Sequence, residues 1–157
     1  GQHGLMGKQN VYEHSVGVPL MIKAAAQHTG KKTADLCYLI DVFPTLCDML
    51  QLPVPQSVDG ISLLSSLDGK EPVRDYLYYS YMDNQRGISD GTWKLIEYHV
   101  NGKRTTQLFN LKNDPWERND LSGQKKYEKT IQRLREKMAE EQKRTNDTSV
   151  FWNNFSY

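Results

Sequence analysis

Two glycine turns between strand-like segments constrain the fold of this chain more than any other feature. Asp90-Gly91 and Asn101-Gly102 each separate two runs that are rich in aromatic and β-branched residues. Such dipeptides favour tight hairpins, because the two central residues of the turn need a positive φ. Together with the aromatic segment 75–81, these runs predict an antiparallel meander of about four strands.

A helical pattern follows the meander. Tyr127, Ile131, Leu134 and Met138 recur at intervals of three or four residues. This spacing predicts one amphipathic helix over about 125–144, with the surrounding charges on its solvated face. One helix on a short meander makes a small two-layer α+β unit. The turn-rich segment 113–121 between them, Asn-Asp-Pro-Trp-Glu-Arg-Asn-Asp-Leu, predicts a structural loop.

The first seventy residues carry weaker signals. Residues 16–23 predict a short edge strand, because they are apolar and contain Pro19. Pro44 predicts a kink or the start of a helix. The composition changes at 67–72, where we expect a boundary between a domain of residues 1–70 and a second of residues 71–157. A buried helical stripe is predicted from Leu36, Leu39, Ile40, Phe43, Leu46 and Leu50.

Composition excludes several functional classes. The net charge is +1, whereas a nucleic-acid-binding module normally has a strong basic excess. No apolar run approaches the length of a membrane span. The spacings of the four histidines and two cysteines match no zinc pattern, and no EF-hand-like loop is present, so the sequence predicts no metal site. The tail 151–157 is aromatic and predicts packing on the body, with an intersubunit contact as the alternative.

The beginning of the chain has the composition of an anion-binding loop. Glycines at positions 1, 4 and 7 precede Lys8, and glycine allows the backbone to approach a ligand closely. A lysine in such a loop supplies a compact positive charge that suits an oxyanion. The composition by itself favours an ordinary glycine-rich surface loop.

The pattern Gly-x-His-Gly-x-x-Gly-Lys-x-x-x-Tyr-Glu-x-x-x-x-Val-Pro-Leu in residues 1–20 resembles the formylglycine-dependent (type I) sulfatases of the alkaline phosphatase superfamily. Shorter stretches as far as Leu121 resemble the same family. The resemblance implies an α/β edge of an alkaline-phosphatase-like catalytic domain, followed by a small α+β subdomain. It also implies that the protein hydrolyses sulfate esters, with a sulfated carbohydrate as the expected substrate.

The resemblance assigns one residue to the site directly and offers others only as candidates. It makes Lys8 the sulfate-binding lysine, and His3 a second candidate that could contact the leaving group or hold the loop. Arg86 and Asn84, in a polar turn after the aromatic segment, are candidates for binding the sugar or a second anionic group. A plain solvated turn is the preferred alternative for both. Packing is the preferred interpretation for the segment that contains Glu13.

The resemblance further implies that this chain is incomplete, because the family's nucleophile lies upstream in a Cys-x-Pro/Ala-Ser-x-Arg motif. Cys37 and Cys47 do not match that motif. Formylglycine and the ligands of Ca²⁺ are therefore expected in the missing N-terminal part of the same protein, and no metal ligand is expected here. Gly17 stands where the family often has arginine. Relatives would be periplasmic, secreted or lysosomal, and the compartment of this protein stays unknown.

Two alternatives remain open at the level of sequence. A phosphodiesterase or phosphonate hydrolase of the same superfamily would share the fold, and a non-catalytic binding or assembly module would share the pattern of strands.

Overall fold

The structure is a computed structural model and describes residues 1–23, 30 and 32–148. The predicted packing of the tail 151–157 lies outside the described residues. The chain divides into two compact units: residues 1–18 with the chain from Tyr78 onward, and Pro19–Leu77. The helices are α1 (Glu13–Val16), α2 (Val42–Met49), α3 (Leu64–Leu67) and α4 (Glu128–Arg144), and the strands are β1 (Leu77–Tyr81), β2 (Gln85–Ser89), β3 (Trp93–Val100) and β4 (Lys103–Asn110).

The four strands form one sheet in the order β1-β2-β3-β4, which confirms the predicted meander. The pairs β2–β3 and β3–β4 are antiparallel, with Gly87 opposite Ile96 and Ile96 opposite Gln107. At the turn between β3 and β4, Asn101 and Gly102 have φ values of 51° and 74°. Both central positions thus have the positive φ that the dipeptide predicts.

Side chains alternate between two covered faces of the sheet. On one face, which we call the helix face, α4 packs on β2 and β3, with Ile131, Leu134 and Met138 buried. The predicted apolar stripe of this helix is confirmed. On the opposite face, which we call the bend face, Val11 and Tyr12 form a core cluster with Ile96 and Phe109. The unit therefore has three layers rather than the expected two.

The third layer explains why four consecutive residues are buried in each of β2 and β3. A sheet with one solvated face alternates buried and exposed residues, whereas a sheet covered on both faces does not. Glu97 lies on the helix face at 1% exposure, where its Oε1 is 2.7 Å from Nε of Arg135 in α4. Charged residues in these strands are therefore paired inside the unit.

The second unit is organised around a buried carboxylate. Asp41 ends a short 3₁₀ turn and is 0% exposed. Its carboxylate accepts hydrogen bonds from Nη2 of Arg74 at 2.5 Å and from the backbone N–H of Ile61 at 2.8 Å. α2 begins directly afterwards and has Pro44 in its first turn, where a missing N–H costs no helical hydrogen bond. This agrees with the helix start predicted near Pro44.

The predicted burial of the apolar stripe in this unit is wrong. Leu39, Phe43 and Leu50 are 67%, 53% and 67% exposed, and Ile40 and Leu46 are exposed as well. The inward side of α2 carries a polar contact instead, because Thr45 Oγ1 accepts a hydrogen bond from the backbone N–H of Leu63 at 2.8 Å. The buried residues of this helix are Pro44, Thr45 and Cys47, so its inward side differs from the predicted stripe.

The predicted strand over residues 16–23 is also wrong. Val16 ends α1, and residues 17–23 form no regular secondary structure. A strand needs a paired neighbour for its backbone groups, and the described part of the chain offers none there. Residues 1–18 belong to the same compact unit as the sheet, and the boundary expected near residue 70 stays a prediction. No helix among the described residues is long and apolar enough to cross a membrane.

Candidate functional site

The residues before Lys8 form a tight bend, which we call the glycine bend (residues 1–8). Gly4 and Gly7 have φ values of 72° and 86°. A Cβ added to either would meet no atom within 4 Å, so the backbone conformation, rather than a lack of space, requires glycine. Lys8 follows directly and is exposed. The bend therefore presents one cation at the surface of its unit.

The residues after Lys8 hold the bend on the sheet. Val11 and Tyr12 are 2% and 6% exposed. The backbone N–H of Val11 donates to Oε1 of Gln85 in β2 at 3.2 Å, and the Tyr12 hydroxyl donates to Oε1 of Gln107 in β4 at 2.6 Å. Lys8 is thus only three residues away from a segment that is fixed by both apolar and polar contacts.

A buried ionic cluster completes this attachment. Nζ of Lys94 lies 2.7 Å from Oε1 of Glu13 and 3.2 Å from Oε1 of Glu117. The other carboxylate oxygen of Glu117 accepts the backbone N–H of Glu13 at 2.6 Å. Burial raises the pKa of Glu117, and the nearby Lys94 charge opposes that rise. This Lys94 cluster (Lys94, Glu13 and Glu117) ties α1 to β3 and to the loop after β4.

His3 packs within the same layer. Its ring is stacked on Tyr12, with ring centroids 4.0 Å apart and planes inclined by 7°. His14 is stacked on Tyr12 as well, at 6.0 Å. Burial, and next the charge of His3, lower the pKa of His14 below its ordinary value of 6.5, which favours a neutral ring at neutral pH. Stacking gives His3 a role in holding the glycine bend.

The structure argues against Arg86 as a substrate-binding residue. Its side chain is 3% exposed and lies on the helix face. Nε and Nη2 donate to the two carboxylate oxygens of Asp147 at 2.6 and 3.1 Å, and Nη1 donates to the carbonyl of Met82 at 2.6 Å. These contacts use the whole guanidinium in joining β2 to the chain after α4. Asn84 is exposed in the turn between β1 and β2, and its role stays a prediction.

Sequence reasoning missed Lys94 and Glu117. Both resemble solvated charges, yet they are 0% and 1% exposed. One signal was present for Lys94, which lies between Trp93 and Leu95 in a strand-like segment. A charge at such a position is rarely buried without a partner. Glu117 had no comparable signal, since it lies in a polar loop.

The described residues do not form a site for the calcium that the resemblance implies. No three histidine, cysteine, aspartate or glutamate side chains come together there in a way that could hold a metal ion.

Comparisons with known proteins identify the family. A family model described as N-sulphoglucosamine sulphohydrolase, C-terminal, matches residues 1–144. The chain is 29% identical to an N-acetylglucosamine-6-O-sulfatase of Bacteroides thetaiotaomicron over 160 residues, covering 94% of this chain and 28% of that protein. It is 26% identical to arylsulfatase K of Homo sapiens over 127 residues, covering 73% of this chain and 24% of that protein.

Solved structures agree with these relatives. A protein solved in complex with its substrate D-glucosamine-2-N,6-O-disulfate matches with a TM-score of 0.60 and 29% identity, over 69% of this chain and 24% of that one. A 2-O GAG sulfatase matches with a TM-score of 0.56 and 28% identity, over 68% and 25%. This chain spans 28% of the length of the first relative named above. It belongs to the N-sulphoglucosamine sulphohydrolase C-terminal family and corresponds to the C-terminal portion of a sulfatase of the alkaline phosphatase superfamily.

Proposed function

We propose that the whole protein hydrolyses sulfate esters of a sulfated carbohydrate and that Lys8 binds the sulfuryl group. The observation that carries this proposal is the contrast within one motif. Lys8 is exposed on the glycine bend, whereas Tyr12 and Glu13 of the same motif are held by the sheet and the Lys94 cluster. The names of the relatives, which include sulfatases of amino sugars, support the substrate class.

The ammonium group of Lys8 suits this reaction for electrostatic reasons. The Lys8 ammonium donates charge-assisted hydrogen bonds to sulfuryl oxygens, which stay negative as the ester bond to the leaving oxygen breaks. A donor contributes most when it is held in place before the reaction begins. The contacts of Val11, Tyr12 and Glu13 supply that positioning, because they fix the backbone just after Lys8.

The other groups that the reaction needs would lie outside this chain. The nucleophile that formylglycine supplies in this family, and the calcium that accompanies it, would belong to the part of the protein upstream of Gly1. The upstream part of the protein would therefore be one partner of this chain, and a sulfated glycan would be the other. We also propose that residues 1–70 complete the catalytic domain and that residues 71–157 form its C-terminal subdomain. His3 would support the bend, and Asn84 would lie at the rim of the substrate site.

Substitution of Lys8 in the full-length protein tests the proposal. Lys8→Ala should lower kcat/KM on a sulfate ester by about 10²–10³, the typical loss for one preorganised electrostatic donor. The melting temperature should not change, since Lys8 is exposed. Steady-state kinetics on 4-nitrophenyl sulfate and on a 6-O-sulfated amino sugar provide the measurement.

Lys103→Ala is the matched control, because Lys103 is an exposed lysine at the β3–β4 turn. It should keep the wild-type rate. Wild-type activity in the Lys8 variant would refute the role of Lys8. Faster turnover of the matched phosphate ester than of the sulfate ester would refute the reaction class and support a phosphate-ester hydrolase.

A further inference from the structure

An open cavity lies beside the glycine bend and has no role in the reaction proposed above. Its volume is about 560 Å³, and Gln2, His3, Trp116 and Arg118 line it. This volume is within the usual range for small-ligand sites, about 300–1,000 Å³. We call it the Trp116 cavity. Two of its lining residues come from the bend that carries Lys8, and two come from the loop after β4.

The Lys94 cluster explains why Trp116 and Arg118 point outward. Glu117, between them, is 1% exposed and turns inward to Lys94 and to the backbone N–H of Glu13. Its two neighbours are exposed, and the indole of Trp116 is 62% exposed. The anchored Glu117 thus acts as a pivot that presents an aromatic ring and a guanidinium on the same loop.

Further contacts hold the two walls of the cavity in place. Nε2 of Gln2 donates to the carbonyl of Trp116 at 3.2 Å, which links the bend directly to the loop. Within the loop, the Asp114 carboxylate accepts the backbone N–H of Asn119 at 2.8 Å. The backbone of the loop that carries Trp116 and Arg118 is therefore held against the bend before any ligand arrives.

Two residues at the cavity have strained backbones. His3 and Glu117 have φ values of 55° and 53°, in the left-handed region that favours glycine. Such a conformation costs roughly 1–3 kcal/mol per residue and persists where the surroundings enforce it, often at ligand sites. Here the stacking of His3 on Tyr12 and the contacts of Glu117 provide that enforcement.

We propose that the Trp116 cavity is a binding subsite for an anionic sugar unit next to the one whose sulfate ester Lys8 binds. The exposed indole offers an apolar platform for the C–H face of a sugar ring. Arg118 offers two parallel donors for a carboxylate or sulfate, and the Gln2 amide can bond hydroxyl groups. This inference rests on the proposed function, since it places the subsite beside the sulfate-binding bend.

The experiment compares a short and a long substrate in the full-length enzyme. Trp116→Ala and Arg118→Gln should lower the ratio of kcat/KM on a sulfated, uronate-containing tetrasaccharide to kcat/KM on 4-nitrophenyl sulfate by about tenfold or more, a change equal to about 1.4 kcal/mol. The loss should appear mainly in KM. Arg118→Lys should lose part of this preference, because it keeps the charge without the paired donors.

Lys112→Ala is the control, since Lys112 is exposed in the same loop region but does not line the cavity. It should keep the wild-type ratio. An unchanged ratio in both cavity variants, or an equal loss on both substrates, would overturn the subsite.

Calorimetric binding of the tetrasaccharide to the intact protein separates this inference from the proposed reaction. Binding that weakens about tenfold in Trp116→Ala, without turnover by the wild-type protein, would retain the subsite and refute the sulfatase. If the wild-type protein turns over 4-nitrophenyl sulfate, but Trp116→Ala and Arg118→Gln bind the tetrasaccharide as tightly as the wild type, the sulfatase would be retained and the subsite refuted. Neither binding nor turnover in the wild-type protein would refute both.

Discussion

At the scale of single residues, the buried charges contribute more to the stability of the fold than the exposed charges do. The Lys94 side chain is 0% exposed and so is that of Glu117. A charge that is removed from water needs an opposite charge beside it, because an unpaired buried charge destabilises the folded protein far more than a buried ion pair does. The ionic contact thus constrains both β3 and the loop after β4.

Lys94→Met should therefore destabilise the protein by about 3–5 kcal/mol, the range for breaking a buried pair from one side. Chemical denaturation of the intact protein measures the loss, with Lys103→Met as the exposed control. Addition of Glu117→Gln to Lys94→Met should restore part of the stability, because it removes the orphaned charge. A loss below about 1 kcal/mol for Lys94→Met would place the pair among weak surface contacts.

The second buried carboxylate predicts a dependence on pH. Burial by itself would raise the pKa of Asp41, but hydrogen bonds from Arg74 and from the backbone of Ile61 and Tyr38 outweigh it and lower that pKa below the ordinary 3.8. The folded state thus binds its proton less tightly than the unfolded state. The stability contributed by Asp41 is complete above about pH 4 and is lost as pH falls through the lowered pKa.

Measurement of the unfolding free energy between about pH 2 and pH 6 tests this prediction. Asp41→Asn should lower stability at neutral pH and should remove part of the decline on the acid side. An equally steep acid decline in Asp41→Asn and in the wild-type protein would assign that decline to other groups.

At the scale of elements, α4 is held by a narrow row of side chains. Leu134 is 0% exposed in the middle of this row. Leu134→Ala should destabilise the protein by about 2–5 kcal/mol, because it removes buried apolar contacts and leaves a cavity. Gln132→Ala, on the exposed side of the same helix, should change stability by less than about 0.5 kcal/mol.

Thermal and chemical denaturation of both α4 variants provide the comparison. Similar losses in the two would mean that the burial of Leu134 does not decide the stability of this layer. A loss confined to Leu134→Ala would confirm the contact between α4 and the sheet.

At the scale of the whole molecule, this chain carries Lys8, the proposed sulfate-binding residue, but no cysteine in the nucleophile motif that the resemblance implies. Cys37 and Cys47 stand outside the formylglycine motif of the family. The purified 157-residue chain should therefore not turn over 4-nitrophenyl sulfate, with or without added calcium, whereas the full-length protein should. Turnover by the chain alone would contradict the assignment of the nucleophile to the upstream part.

Sequence reasoning succeeded where the signal was local. The Asn101-Gly102 turn, the four strands and the stripe around Leu134 depend on neighbours a few residues apart along the chain. It failed for the stripe around Phe43, because apolar periodicity describes which residues share a side of a helix and does not say what covers that side. It also offered Arg86 as a candidate for the substrate site or as part of a solvated turn, since no local pattern revealed the distant carboxylate of Asp147.

The amino-acid sequence by itself determined the meander, the C-terminal helix, the family resemblance and Lys8 as the candidate sulfate-binding residue. Only the tertiary structure decided that the segment after Lys8 forms a third layer on the sheet, and that Lys94 and Glu117 face inward to hold it. Turns and helices form from contacts between near neighbours, which a sequence displays directly. The direction in which a charged side chain points depends on a partner that can be far away in the chain, as Glu13 is from Lys94 and Glu117.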